Sequence, residues 1–398
     1  MTYWYDKPGD IKGRSHWMRI ALSFANDLGL GQRSELTGLS PHEQKLRRRV
    51  WWCCVMRDRL ISLSEQRPSN ILTDEADFPA LSAHDFECSI FCEALKKYSG
   101  QSDEGQWLVL TELCFQKVKL CILIGRVLRT QYKPRSFQAI DSIESTILLL
   151  PDPSDSAAAE FVARDGEVRR WSSDMCPNMR SMVREDLWRN CSTVSVHCSA
   201  LEMLYNTVLG FIHRPKLLTY PPEDSVAKAM QVVSRQILRE TAQRITQIAK
   251  VFEEADLLRL LPPIGVTALL ESAMQHTNDV VSSAPSIRST AQQSLKQTMI
   301  SLTRLQEMYC SADHAVAFME LIERKESPGE SPDLSQMTVF PLFRDEVLKY
   351  CSPQRQELGG SSSLDAETMA GSYNMDSNLL SPHQFHAAMD AMLLNRRG

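Results

Sequence analysis

The chain has 398 residues, 43% of them hydrophobic and 23% charged, which suffices for one large core or two modest ones and excludes general disorder. A formal net charge of −5 also argues against an extended phosphate-gripping surface, so any contact with DNA must be local or made elsewhere. Taken in chain order, the expected elements are helical. Trp17, Ile20, Ala21, Phe24 and Leu28 recur at helical spacing, and Gly29 follows where a left-handed C-cap is favoured. Ser40, Pro41 and Glu43 read as N-cap, N1 and N3 of a capping box, which starts a second helix near Pro41; Pro68 ends it. Every residue from Val50 to Met56 is apolar, so this helix is expected to be enclosed on all sides.

A third stripe runs from Trp107 through Leu110, Cys114, Val118, Cys121, Gly125 and Leu128 and stops before Pro134. The stretch from Pro151 to about Pro177 is rich in Ser, Asp and Ala and reads as an inserted loop, residues 151–177. Leu187, Cys191, Val194, Cys198, Leu201, Tyr205, Val208 and Ile212 then alternate steps of four and three until Pro215. His213 and Arg214 sit at the end of that helix, where cations suit the dipole and can bind the last carbonyls. Further stripes cover Val226 to Phe252, Leu269 to Val280, Leu295 to Met308 and Ala315 to Leu321. No run of alternating β-branched residues competes with them. The fold class is therefore all-α, stacked antiparallel helices forming one large domain over residues 1–325. Residues 326–398 (SPGESPDLSQ, GGSSSLDAETMAGS) read as a mostly flexible tail with short amphipathic pieces, one of which could lay Phe385, Met389, Met392 and Leu393 into a partner's groove or dock on its own domain.

The eleven cysteines include no CxxC pair, and most lie among aliphatic residues, where cysteine acts as a small hydrophobe; a reducing, intracellular setting is expected. The N-terminus has no secretory pattern, and the greasiest run, Leu120 to Gly125, is too short to span a bilayer. No GxGxxG, P-loop, GxSxG or HExxH occurs, so no catalytic residue is assigned. Cys191, His197 and Cys198 share one helix, but the two cysteines lie on its apolar stripe, and His383 with His386 lacks further ligands.

The charged interruption of the second helix poses the central problem. Arg57 and Arg59 flank Asp58 inside an apolar run, and charges so placed must be paired, because removing one partner of a buried pair costs on the order of 3–5 kcal/mol. Arg47 and Arg48 lie one turn before Trp51 and Trp52, within reach of guanidinium–indole stacking. These residues either lock the helix into a bundle or form a site for an acidic ligand with Arg67 at its mouth.

The string LRRRVWWCCVMRDRLISLSEQRPSNI resembles the signature of the fungal-specific transcription factor domain, the middle homology region of the binuclear zinc cluster regulators: basic residues, paired Trp, a D-R pair, then G-R-P. YWYDKPGD and HWMRIALSFANDLGLGQ resemble the approach to that signature. LEMLYNTVLGFIHRPKLL resembles the family's L-x-x-x-Y…L-x-R-P helix, and DLLRLLPPIGVTALLESAMQH is similar to the cutinase-transcription-factor-like branch. The resemblance covers roughly residues 1 to 320 and departs from the pattern at Glu65 and Gln66, which stand where a small residue and glycine often precede R-P. It marks Arg47, Arg48, Arg49, Trp51, Trp52, Asp58, Arg59, Arg67, Pro68, Tyr205, Arg214 and Pro215 as structural or regulatory residues. It also implies a nuclear regulator of metabolic or secondary-metabolite genes that works with the transcription machinery or a coactivator. Homodimerisation and a small-molecule effector are compatible with it. The family's six-cysteine zinc cluster has no counterpart here, so zinc is expected only in a missing N-terminal module, and DNA only through that module or a partner protein. An all-α ligand-binding or scaffold protein without DNA-binding activity is the other reading.

Overall fold

The computed structural model describes residues 13–72, 81–88, 92–93, 104–138, 145–152, 154–175, 193–217, 225–281 and 284–325. The expectations for the tail and for Leu187 and Cys191 lie outside these residues.

The first helix, α1 (Arg14–Asp27), buries Met18, Leu22 and Ala25, and Gly29 after it takes φ +62°. This is not the expected stripe: Phe24 and Leu28 are exposed. Both faces of α1 are partly apolar, and the neighbouring α2 selects one. Helix α2 (Pro41–Glu65) starts with the expected capping box, Ser40 Oγ accepting from Glu43 N and Glu43 Oε2 from Ser40 N. Its apolar run is not enclosed all round, since Val50 and Cys53 are exposed. The fully buried part lies one turn later, from Arg57 to Ser64.

Helix α3 (Glu104–Gln131) stops short of Pro134 as its pattern requires. A hairpin that the sequence pattern did not announce then follows, β1 (Tyr132–Gln138) pairing antiparallel with β2 (Ser145–Pro151). It buries Tyr132, Leu148, Leu149 and Leu150 against the helices. Where an inserted loop was expected, the chain forms α4 (Asp155–Asp174). Its Ser-rich start is N-cap chemistry, Ser154 Oγ accepting from Ala157 N, and Phe161, Val168 and Trp171 line a buried face. Helix α5 (Thr193–Leu217) is the most deeply embedded element and runs through Pro215 rather than ending before it.

The remaining helices are α6 (Ser225–Glu254), α7 (Ile264–Val280), α8 (Pro285–Leu305) and α9 (Cys310–Lys325). The described architecture is thus all-α with one small hairpin. One core forms where α3, α4, α5 and the hairpin meet; a second joins α5 to α6, α7, α8 and α9; a third, smaller one holds α1 on α2.

Candidate functional site

Two knots of polar residues hold these cores together, and both fall on the residues singled out in the sequence. The first surrounds α2. Arg47 donates to Leu28 O at 2.9 Å and so closes the end of α1. Arg48 donates from Nε and Nη2 to Asp85 Oδ1 at 2.9 and 2.6 Å, while Asp85 Oδ2 caps the short 3₁₀ turn Ala83–Phe86 through Ser82 N and Oγ. Arg49 reaches Asp85 O and, at 2.9 Å, Glu87. Hydrogen bonds from His42 and Arg49 hold the Glu87 carboxyl down at about 2. The expected use of Arg47 and Arg48, stacking on Trp51 and Trp52, is replaced by these carbonyl and carboxylate contacts. Both indoles are buried, and Trp51 lies so close to Gly31 that a Cβ there would meet its ring at 2.7 Å.

Further along α2 two of the buried charges, Asp58 and Arg59, are paired with each other and with the segment after the helix. Asp58, wholly buried, accepts from Asn70 N (3.1 Å), Asn70 Nδ2 (2.7 Å), Ile71 N (3.1 Å) and Arg59 Nη1 (3.3 Å). Arg59 Nη1 also donates to Ile71 O at 2.8 Å. The D-R pair therefore folds the segment after the helix back onto its own last turns. Arg59 can lie flat there because α3 presents Gly125, where a Cβ would stand 2.5 Å from Arg59 Nε. Arg57 is buried as well, and in the second core the Tyr309 hydroxyl donates to Leu261 O at 2.8 Å.

The chain leaves α2 through Gln66 at φ +50°, ψ +42°, a left-handed C-cap closed by Arg67 N donating to Ser62 O. That conformation explains why glycine suits the position in the resembling pattern. Gln66 takes it nonetheless, and its carbonyl accepts from Leu149 N at 2.6 Å, tying α2 to the hairpin. Arg67 pairs with Glu65 at 3.8 Å, and Pro68 is half-buried beside it.

The second knot is His213-Arg214-Pro215 in the last turns of α5. His213 and Arg214 were expected to serve the helix end; all three residues are buried, and the helix continues past them to Leu217. His213 bridges Asp165 Oδ1 of α4 (3.1 Å) and Ser234 Oγ of α6 (3.0 Å). The order Asp, His, Ser is that of a hydrolytic relay, yet Ser234 is 1% exposed and no substrate can reach it. Arg214 pairs with Glu271 of α7 and lies over the Phe211 ring, and burial pushes its guanidinium down to about 10. Pro215 has no N–H to offer Phe211 O four residues earlier. Tyr132 supplies the missing donor: its hydroxyl sits 2.6 Å from that carbonyl. Tyr205, one face away, stacks on Trp171 at 5.7 Å.

Tyr132, Gly125 and Asp85 are the members of these knots that sequence reasoning missed.

Among the described residues no group of three or more His, Cys, Asp and Glu could hold a metal ion, and no helix is long and apolar enough to cross a membrane. Burial raises the thiols of Cys54 and Cys198 to about 11 and of Cys121 to about 12, as befits cysteines packed among apolar side chains. His197 is exposed, and Cys191 lies outside the described residues.

Residues 1–164 match the fungal specific transcription factor domain. Over those residues the chain carries that family's domain. It is 31% identical over 364 residues to cutinase transcription factor 1 beta of Fusarium vanettenii, covering 87% of this chain and 41% of that protein. A transcription factor of Fusarium pseudograminearum is 32% identical over 79% of this chain and 36% of its own length, and transcription factor cpaR of Aspergillus oryzae 27% identical over 80% and 54%. The chain thus spans about two fifths of the first two relatives. No solved structure matches it. The fungal-domain match includes α2 and its knot, and the relatives' matches are long enough to extend past it into the later helices.

Proposed function

We propose that this chain is the helical regulatory domain of a fungal transcriptional regulator that works in the nucleus on metabolic genes. DNA is reached through a zinc cluster outside these residues or through a partner protein, and output passes to a coactivator or the transcription machinery. Homodimerisation and control by a small-molecule effector belong to the same reading. The observation that carries it is the use made of the basic run: Arg47, Arg48 and Arg49 spend their donors on Leu28 O, Asp85 and Glu87, inside the domain. The signature is thus architectural, a scaffold for regulation rather than a grip on phosphates. No catalytic step is assigned to it.

The test is to fuse the chain to a bacterial DNA-binding domain and measure a reporter carrying the cognate operator in a filamentous fungus. A severalfold change in either direction, relative to the DNA-binding domain alone, is expected. A stable fusion that reaches the nucleus and leaves the reporter unchanged across carbon and nitrogen sources would overturn the proposal.

A further inference from the structure

Helices α6, α7 and α8 enclose an open cleft of about 220 Å³. That is room for a small metabolite. Its floor is polar and built. Asp279 is buried and takes Arg239 Nε and Nη2 at 3.1 and 2.8 Å, so the pair is locally neutral. Arg239 Nη1 donates a third bond to Gln236; a guanidinium has five N–H groups, so two remain for a ligand. Across the cleft α8 presents Ser286, Thr290 and Ser294, three hydroxyls on one face at four-residue spacing. Ser286 also brings the first turn of α8 to the cleft, whose dipole favours negative charge.

With each Asp279 oxygen bonded to Arg239, the donors left to the cleft are the two guanidinium N–H groups and the three α8 hydroxyls. We propose that this cleft is an effector site for a small carboxylic acid, its carboxylate on the free edge of Arg239 and the α8 hydroxyls. The inference rests on the regulatory reading above and names the ligand class. Occupancy would be felt by all three helices through His276 in the cleft floor. Its Nε2 meets Thr246 Oγ1 of α6 at 2.8 Å and Ser272 Oγ of α7 at 3.2 Å, and Thr246 Oγ1 meets Thr298 Oγ1 of α8 at 3.0 Å.

The test is thermal unfolding of the purified full chain with succinate, malate and citrate, against erythritol as a neutral control and chloride at matched ionic strength. At least one acid should raise Tm saturably, by about 3 °C at tenfold excess over half-saturation. The shift should vanish in Thr290→Trp and in Ser286→Trp, which block the cleft from exposed positions of α8. An equal shift with erythritol, a shift that survives both substitutions, or no shift with any acid at millimolar concentration would overturn the proposal. The readout is binding alone, so its failure is distinct from that of the reporter experiment.

Discussion

Tyr132→Phe tests how a proline is tolerated inside a buried helix. Pro215 deprives Phe211 O of its helical donor, Phe211 is fully buried, and the Tyr132 hydroxyl at 2.6 Å replaces that donor. Removing the hydroxyl leaves a buried carbonyl unsatisfied, for which the cost is about 1–3 kcal/mol. The phenyl ring keeps its place against Phe211, 6.0 Å between centroids, so little packing is lost. In a Pro215→Ala background the backbone N–H at 215 returns and can donate to the same carbonyl. There Tyr132→Phe should cost below about 0.5 kcal/mol, a coupling of at least ~0.5 kcal/mol between two residues far apart in sequence. Urea unfolding followed by circular dichroism gives the four free energies by linear extrapolation. Equal costs of Tyr132→Phe in the two backgrounds would refute the argument that the hydroxyl substitutes for the missing N–H.

Asp58→Ala should lower the unfolding free energy by about 3–5 kcal/mol, because it removes the carboxylate beside Arg59 and the acceptor of the Asn70 and Ile71 amides; a loss below ~1 kcal/mol would contradict the pairing. Gln66→Gly should stabilise by roughly 1–2 kcal/mol, since it relieves a left-handed backbone and removes a buried amide whose Nε2 and Oε1 have no partner among the described residues. Gly125→Ala should destabilise by about 1–3 kcal/mol as the methyl displaces Arg59, whereas Gly166→Ala, with open space around its Cβ, should gain about 0.5–1 kcal/mol. Burial holds His276 down at about 4 from an ordinary 6.5, so the folded state binds its proton less readily than the unfolded one. Its contribution is fully present above pH 6.5 and is lost as pH falls toward 4, roughly 3 kcal/mol over that window. In a pH series of denaturant midpoints, His276→Gln should flatten this slope.

The sequence by itself determined the helices whose ends carry chemistry and the need for pairing. Ser40-Pro41-x-Glu43 starts α2, Gly29 ends α1, and Pro134 bounds α3, because caps and prolines act through the local backbone. The same local logic required that Arg57, Asp58 and Arg59 be neutralised, since desolvation penalises a lone charge wherever it is buried. The partners themselves were decided only by tertiary structure. Nothing local distinguishes the apolar faces of α1, so Met18 and Leu22 turn inward and Phe24 outward only because α2 lies where it does. The hairpin and α4 were hidden because Leu148 to Leu150 and the Ser-rich start of α4 become legible only against the surfaces they cover. Asp85 for Arg48, Gly125 for Arg59, Glu271 for Arg214 and Tyr132 for Pro215 are contacts between residues 37 to 83 positions apart, and no periodicity or cap rule encodes them. A residue's demand for a partner is written in its own chemistry, but the chain segment that meets it is fixed by the packing of whole helices.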